Sequence, residues 1–216
     1  MGRTAESNYE ITRNAMEKKF LEYDQQDMID KFHLKYDPQY LYIQLAGREY
    51  RIHRLTGRTE YFSGKEQAYL HGDFNAVMTI FDILCYSRPE AALAGKFVSL
   101  NHLKGLTVAS APGPDMFARE AEAWNGKCEK LQTACERLAG TPEKIGDVSY
   151  KIFLFPFLPV ILQFWEGDEE FAPVLKLLWD ENILDYMHFE TTFYATSYLL
   201  ERLREETADL EKQTGK

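Results

Sequence analysis

Cysteine is scarce in this chain of 216 residues: Cys85, Cys128 and Cys135, with no Cys-x-x-Cys pair. An odd, small number at these spacings argues against a disulfide framework. It also argues against a self-contained iron–sulfur site, which takes four cysteine ligands. Cys128 and Cys135 lie seven apart on one predicted helix. That spacing rises about 10.5 Å, too far for a disulfide or a shared metal, so core packing is the expected role. A basic excess is missing too: the formal net charge is −9, which points away from nucleic acid and from anionic membrane surfaces. No apolar run reaches the ~20 residues of a membrane helix. The longest, Ile152 to Trp165, is interrupted by Pro156, Pro159 and Gln163. The opening residues are polar and lack a signal-peptide core, so a cytoplasmic protein is expected. Neither G-x-G-x-x-G nor a Walker pattern occurs, which removes the common routes to nucleotide binding. The histidines His33, His53, His71, His102 and His188 form no local zinc motif. His188 is open to two readings, an axial ligand to a tetrapyrrole or a helix cap bonded to backbone. The sequence names no metal and no cofactor.

Aromatic residues, by contrast, are plentiful, with 13 Tyr and 14 Phe. They predict a core built on rings and a ring-lined cavity. Helical periodicity covers Asn8 to Tyr23, Gln26 to His33, Asp73 to Tyr86, Asp115 to Leu138 and Glu190 to Leu210. In the fourth, Phe117, Ala121, Trp124, Cys128, Leu131, Cys135 and Leu138 make one continuous stripe. Strand alternation is clearest in Leu41, Ile43 and Leu45, followed by an Ala46-Gly47 turn and a return through Tyr50 and Ile52. Pairing Leu45 with Arg48, Ile43 with Tyr50 and Leu41 with Ile52 keeps one face apolar. Ser149 to Phe155, Pro159 to Trp165 and Val174 to Trp179 read as strands covered on both faces. A short strand is expected at Phe97 to Leu100, and Pro112-Gly113-Pro114 is the strongest break. Strands cluster rather than alternate with helices. The expected fold is therefore α+β, a predominantly antiparallel sheet packed with amphipathic helices, in a single domain over residues 1–216.

Two stretches carry the chemistry. In the first, Trp165-Glu166-Gly167-Asp168-Glu169-Glu170-Phe171, a buried strand ends in an acidic turn, and Asp180 follows. Gly167 supplies freedom for a positive φ there. Clustered carboxylates suit a hard cation, and one packed against rings gains an acid's raised pKa. The plainer reading is a solvated turn. The second stretch is the polar face of the early hairpin, Tyr40, Tyr42, Arg51 and His53. Opposed Tyr42 and Arg51 suit a cation–π pair, and the four side chains suit a flat, anionic ligand. The plainer reading is an ordinary sheet face with cross-strand pairs. Charge is segregated: residues 31–65 hold seven basic and three acidic side chains, residues 166–190 eight acidic and one basic. The hairpin can therefore also dock the acidic turn, of its own chain or of a second copy.

Asn8-Tyr9-Glu10, Gly47-Arg48-Glu49-Tyr50, Ile80 to Tyr86, Trp-x-Gly-Asp-x-Glu-Phe at Trp165 to Phe171, Asp180, Tyr186 and Glu190 together resemble a known group. It is an uncharacterised family, a domain of unknown function of anaerobic bacteria and archaea. The resemblance spans nearly the whole chain and implies an anaerobic, cytosolic setting. Some relatives carry an added cysteine-rich iron–sulfur module, which this chain lacks. The family brings no established catalytic residues.

Three functions fit these observations. The first is a non-catalytic binding or accessory module for a small ligand or partner protein in anaerobic metabolism. Trp165, Glu166, Asp168, Glu169, Phe171, Asp180, Tyr40, Tyr42, Arg51 and His53 are its candidate contacts. The second is a metal-dependent enzyme using the acidic turn Glu166–Glu170. The third is a structural homo-oligomer.

Overall fold

The computed structural model describes residues 7–106 and 116–214, with side chains as far as residue 208. Pro112-Gly113-Pro114 lies outside the described residues. The fold is α+β: six α-helices and two antiparallel sheets of five strands each, among the described residues.

The chain opens with α1 (Asn8–Phe20), held at its start by a Ser7–Glu10 capping box. Then comes α2 (Gln25–Phe32), whose N-cap Asp24 accepts from Gln26 and Asp27. His33 ends α2 in a left-handed conformation, φ 50°. The first sheet is a meander of β1 (Lys35–Tyr36), β2 (Tyr40–Leu45), β3 (Arg48–His53), β4 (Thr59–Ser63) and β5 (Ala68–His71). The register of β2 and β3 is the one that apolar alternation requires: Leu45 faces Arg48, Ile43 faces Tyr50 and Leu41 faces Ile52. Ala46 and Gly47 both take positive φ, 42° and 75°, the geometry that matches a two-residue turn to strand twist. Ala46 is buried, its N–H donates to Leu154 O at 2.7 Å, and its carbonyl accepts from Arg202 Nε at 3.3 Å. Those two bonds tie the turn to the second sheet and to the last helix.

Next, α3 (Phe74–Tyr86) starts at Asp73, which caps Ala76 N. The sequence suggests a one-sided stripe, yet every residue from Ala76 to Leu84 except Met78 is buried. The helix is central, packed by α1 and by α6 (Phe189–Thr214).

The second sheet has the order β6-β10-β9-β8-β7, with β6 (Phe97–Val98), β7 (Thr141–Pro142), β8 (Val148–Phe155), β9 (Leu158–Trp165) and β10 (Val174–Asp180). All its pairs are antiparallel. Contrary to the sequence reading, β8 and β10 are not covered on both faces, whereas β9 has no exposed residue. Leu154, Leu162, Leu177 and their neighbours on one face are buried. On the other face Phe153, Val174 and Lys176 are exposed, while Ser149 and Gln163 are buried.

The long helix expected over Asp115 to Leu138 is two helices, α4 (Ala118–Trp124) and α5 (Cys128–Arg137). Between them Gly126 takes φ 70°. The apolar stripe runs unbroken through this joint because both pieces bury Trp124, Leu131 and Cys135 against the same interior. Strands β4 and β5 have no clear sequence signature, since their rings Phe62 and Tyr69 are exposed and break the alternation. Buried side chains of both sheets and all the helices form one contiguous cluster. No helix among the described residues is long and apolar enough to cross a membrane.

Candidate functional site

The acidic turn joins β9 to β10. Its Trp165 is half-buried, while Glu166, Asp168, Glu169, Glu170 and Phe171 are exposed. The turn is held by backbone bonds that engage two of its four carboxylates, Glu166 and Asp168. Glu166 accepts from Gly126 N at 2.8 Å, and its own N–H donates to Asp147 at 2.8 Å. Asp168 accepts from Glu170 N and Phe171 N, each at 2.8 Å, and these bonds hold its carboxyl below the ordinary range. Gly167 does not take the positive φ expected of it. It is required for another reason: a Cβ there would sit 2.7 Å from Pro173 Cδ and 2.8 Å from Pro173 N. Asp180 lies elsewhere, fully buried, accepting from Ala94, Gly95 and Asn182 amides. Among the described residues no three His, Cys, Asp or Glu side chains are placed to share a metal ion.

The hairpin face does bring its four residues together. Arg51 Cζ stands 4.4 Å from the Tyr40 ring centroid, and His53 meets Tyr40 edge-on at 5.2 Å. The expected Tyr42–Arg51 stack is replaced. Arg51 lies over Tyr69, 3.2 Å from its centroid, because Glu60 on β4 holds the guanidinium through two bonds. Tyr42 instead donates to Asp37 at 2.7 Å, which pushes its phenol up to about 12. A cavity of about 290 Å³ touches Tyr42 and Arg51, with Arg48 and Arg202 beside them. Each arginine there is matched by a carboxylate: Arg48 by Glu205, Arg51 by Glu60, Arg202 by Glu205 and Glu206. The basic hairpin therefore finds its partners on β4 and α6 and not on the acidic turn of its own chain.

The larger concavity, about 800 Å³, lies between α2, the C-terminal end of α3 and the β8–β9 turn. None of its lining was nominated from sequence. Four rings wall it: Tyr23, Phe32, Phe157 and Tyr186. Phe157 occupies the tip of the β8–β9 turn. It stacks on Phe32 at 4.8 Å, on Phe155 at 5.5 Å and on Tyr186 at 6.2 Å, with interplanar angles of 26° or less. Met28, Leu84 and Cys85 add an apolar floor, and Asp24, Asp27, Asp30 and Lys31 reach the opening. Lys31 is spent on Ser87 O at 3.0 Å, Ser87 Oγ at 2.9 Å and Arg88 O, and burial pulls its ammonium below the ordinary lysine range. Burial pushes the Cys85 thiol up to about 12, so it is no nucleophile at neutral pH. The resulting vessel has flat apolar walls and a carboxylate-rich mouth.

A sequence signal for it existed in one place. Phe155-Pro156-Phe157 puts two rings around a proline at a strand turn. The remaining rings come from separate segments that only the fold brings together.

No curated protein and no solved structure matches the chain. A family model described as a domain of unknown function, DUF3786, matches residues 24–202, a span that includes Phe32, Phe157 and Tyr186, and the chain belongs to that family.

Proposed function

We propose that the protein binds a flat small molecule, neutral or cationic, in the cavity walled by Tyr23, Phe32, Phe157 and Tyr186. The observation that carries this reading is the stacking of Phe157. It aligns three near-parallel ring contacts beside an open space of about 800 Å³, within the usual range for ligand sites. A planar molecule continues such a stack at little conformational cost. The charge of the bound molecule follows from the mouth, where Asp24, Asp27 and Asp30 outnumber Lys31. Aromatic faces beside carboxylates also favour a cation over an anion. An anionic ligand on the hairpin face is the weaker reading, because each arginine there already has a carboxylate partner. A metal-dependent reaction at the acidic turn is weaker for the converse reason: Glu166 and Asp168 are engaged by backbone amides. The anaerobic, cytosolic setting implied by the family resemblance belongs to the same proposal.

The test is a thermal-shift screen of planar neutral, cationic and anionic compounds, with native mass spectrometry of freshly purified protein. A ligand at a hundred times its Kd stabilises the folded state by about 2.7 kcal/mol, a shift of a few degrees. Phe157→Ala is expected to weaken binding by roughly tenfold or more. The reading fails if no planar compound raises the melting temperature, or if those that do act equally on Phe157→Ala.

A further inference from the structure

A second concavity, of about 400 Å³, adjoins the ring-walled cavity, because Phe32 and Phe157 line both. Its floor is apolar: Leu34 and Ile43 are buried, and Pro156 stands beside them. Lys35, Gln44 and Glu49 form its exposed rim. The chain path explains why two spaces share one pair of rings. His33 ends α2 in a left-handed conformation, φ 50°, and β1 begins two residues later. Phe32 closes the helix and lines both spaces, whereas Leu34 and Lys35, after the turn, line only the second. Opposite them, Pro156 and Phe157 make the tip between β8 and β9. Phe157 again lines both spaces and Pro156 only the second.

The walls of the second space are fixed. Leu34 N–H donates to Ile29 O at 3.1 Å, the two rings stack at 4.8 Å, and Ala46 N–H donates to Leu154 O across the sheets that flank it. Its rim sets Lys35 against Glu49, so it lacks the excess of one charge that three aspartates give the first mouth. What it offers is apolar area over Leu34, Ile43 and Pro156. A separate small molecule there would bear the whole cost of association. A group tethered to a ring already bound next door arrives at high effective concentration and bears little of it. The shared rings therefore favour one molecule that occupies both spaces.

We propose that the ligand is a planar head bearing a hydrocarbon arm: the head sits in the first cavity, and the arm crosses the edges of Phe32 and Phe157 to lie on Leu34, Ile43 and Pro156. This rests on the ligand-binding reading above and narrows its ligand class. The arm passes from one space to the other along apolar ring edges, with no charged side chain to cross. A charged arm is disfavoured, because the buried floor holds no group to pair with it. The head carries the preference for neutral or positive charge, and the arm adds affinity through its length.

The probes are N-alkylquinolinium ions, from methyl to octyl, titrated calorimetrically below their micelle concentrations. Affinity is expected to rise about three- to fourfold per methylene until the floor is covered, and then to level off. Gln44→Trp places a large side chain at the exposed rim. It is expected to weaken the octyl compound by about tenfold or more and to leave the Kd of N-methylquinolinium where it was. Nuclear Overhauser contacts in the unaltered protein are expected between the terminal methyl of the octyl chain and the methyls of Leu34 and Ile43. That measurement keeps the test open if Gln44→Trp fails to fold. The arm is overturned, and the ring site left standing, if N-methylquinolinium binds and no added methylene tightens it. It is likewise overturned if folded Gln44→Trp holds the octyl compound as tightly as the parent, or if the terminal methyl touches neither Leu34 nor Ile43. Failure of every member of the series to bind overturns the ring site for cationic heads, and the arm with it.

Discussion

Asp180 has no exposure to solvent, and its two oxygens accept three backbone N–H bonds, from Ala94 at 3.0 Å, Gly95 at 2.7 Å and Asn182 at 3.0 Å. The carboxylate serves as the fastening of β10 to the segment before β6. Asp180→Asn turns one acceptor into a donor that faces an amide, and it is expected to cost about 2–3 kcal/mol in urea unfolding. Glu60 gives a prediction with a pH window. Burial works against its charge, but the bonds from Arg58 and Arg51 outweigh it and hold the carboxyl below its ordinary range. A folded-state pKa below the unfolded one adds stability above the unfolded value, and this is lost as pH falls through the folded value. Glu60→Gln is therefore expected to be about 1 kcal/mol less stable than the parent near neutrality. The gap closes below about pH 4, which denaturant titrations at several pH values would measure. None of these partnerships can be read from sequence, because spacing along the chain says nothing about which amide a buried carboxylate meets.

At the level of elements, α6 runs from beside the cavity to the hairpin turn. Its Arg202, 7% exposed, donates to Ala46 O, Glu205 and Glu206. Glu205 is 39% exposed and keeps Arg48 as a partner, so Arg202→Ala loses chiefly the bond to the Ala46 carbonyl and the pair with Glu206, and is expected to cost about 1–3 kcal/mol in guanidinium unfolding. The β2–β3 hairpin was legible in full, since alternation fixed its face and the two-residue turn fixed its register. Positions Asn125 to Lys127 were not, because the apolar stripe on either side keeps helical phase across a joint that is not helical. The β4–β5 pair was invisible for the opposite reason: Phe62 and Tyr69 face outward while Tyr61 packs inward, so its rings leave no polar–apolar period to find. The cavity was illegible because Tyr23, Phe32, Phe157 and Tyr186 are far apart in sequence, and stacking has no local pattern. Composition foretold that rings would line something, and the fold determined which ones.

Across the whole molecule, two sheets that never pair with each other share one buried cluster. A protein built this way is expected to unfold in one cooperative step. The three tryptophans lie on one side of the architecture: Trp124 on α4, Trp165 on β9 and Trp179 on β10. Their fluorescence reports the second sheet, while circular dichroism reports every element. Coincident denaturation curves from the two signals are the expected result, and a fluorescence midpoint displaced from the other would mean two separately stable halves.

The tip of a hairpin is ordinarily the place where a chain accepts a graft. The turn between β4 and β5 fits that custom, with Gly64 to Gln67 all open to water. Ala46 does not, since its amide and its carbonyl are both occupied by distant parts of the fold. An affinity tag or a new terminus therefore belongs at Lys65, and the same insertion after Ala46 would pry the two halves of the protein apart.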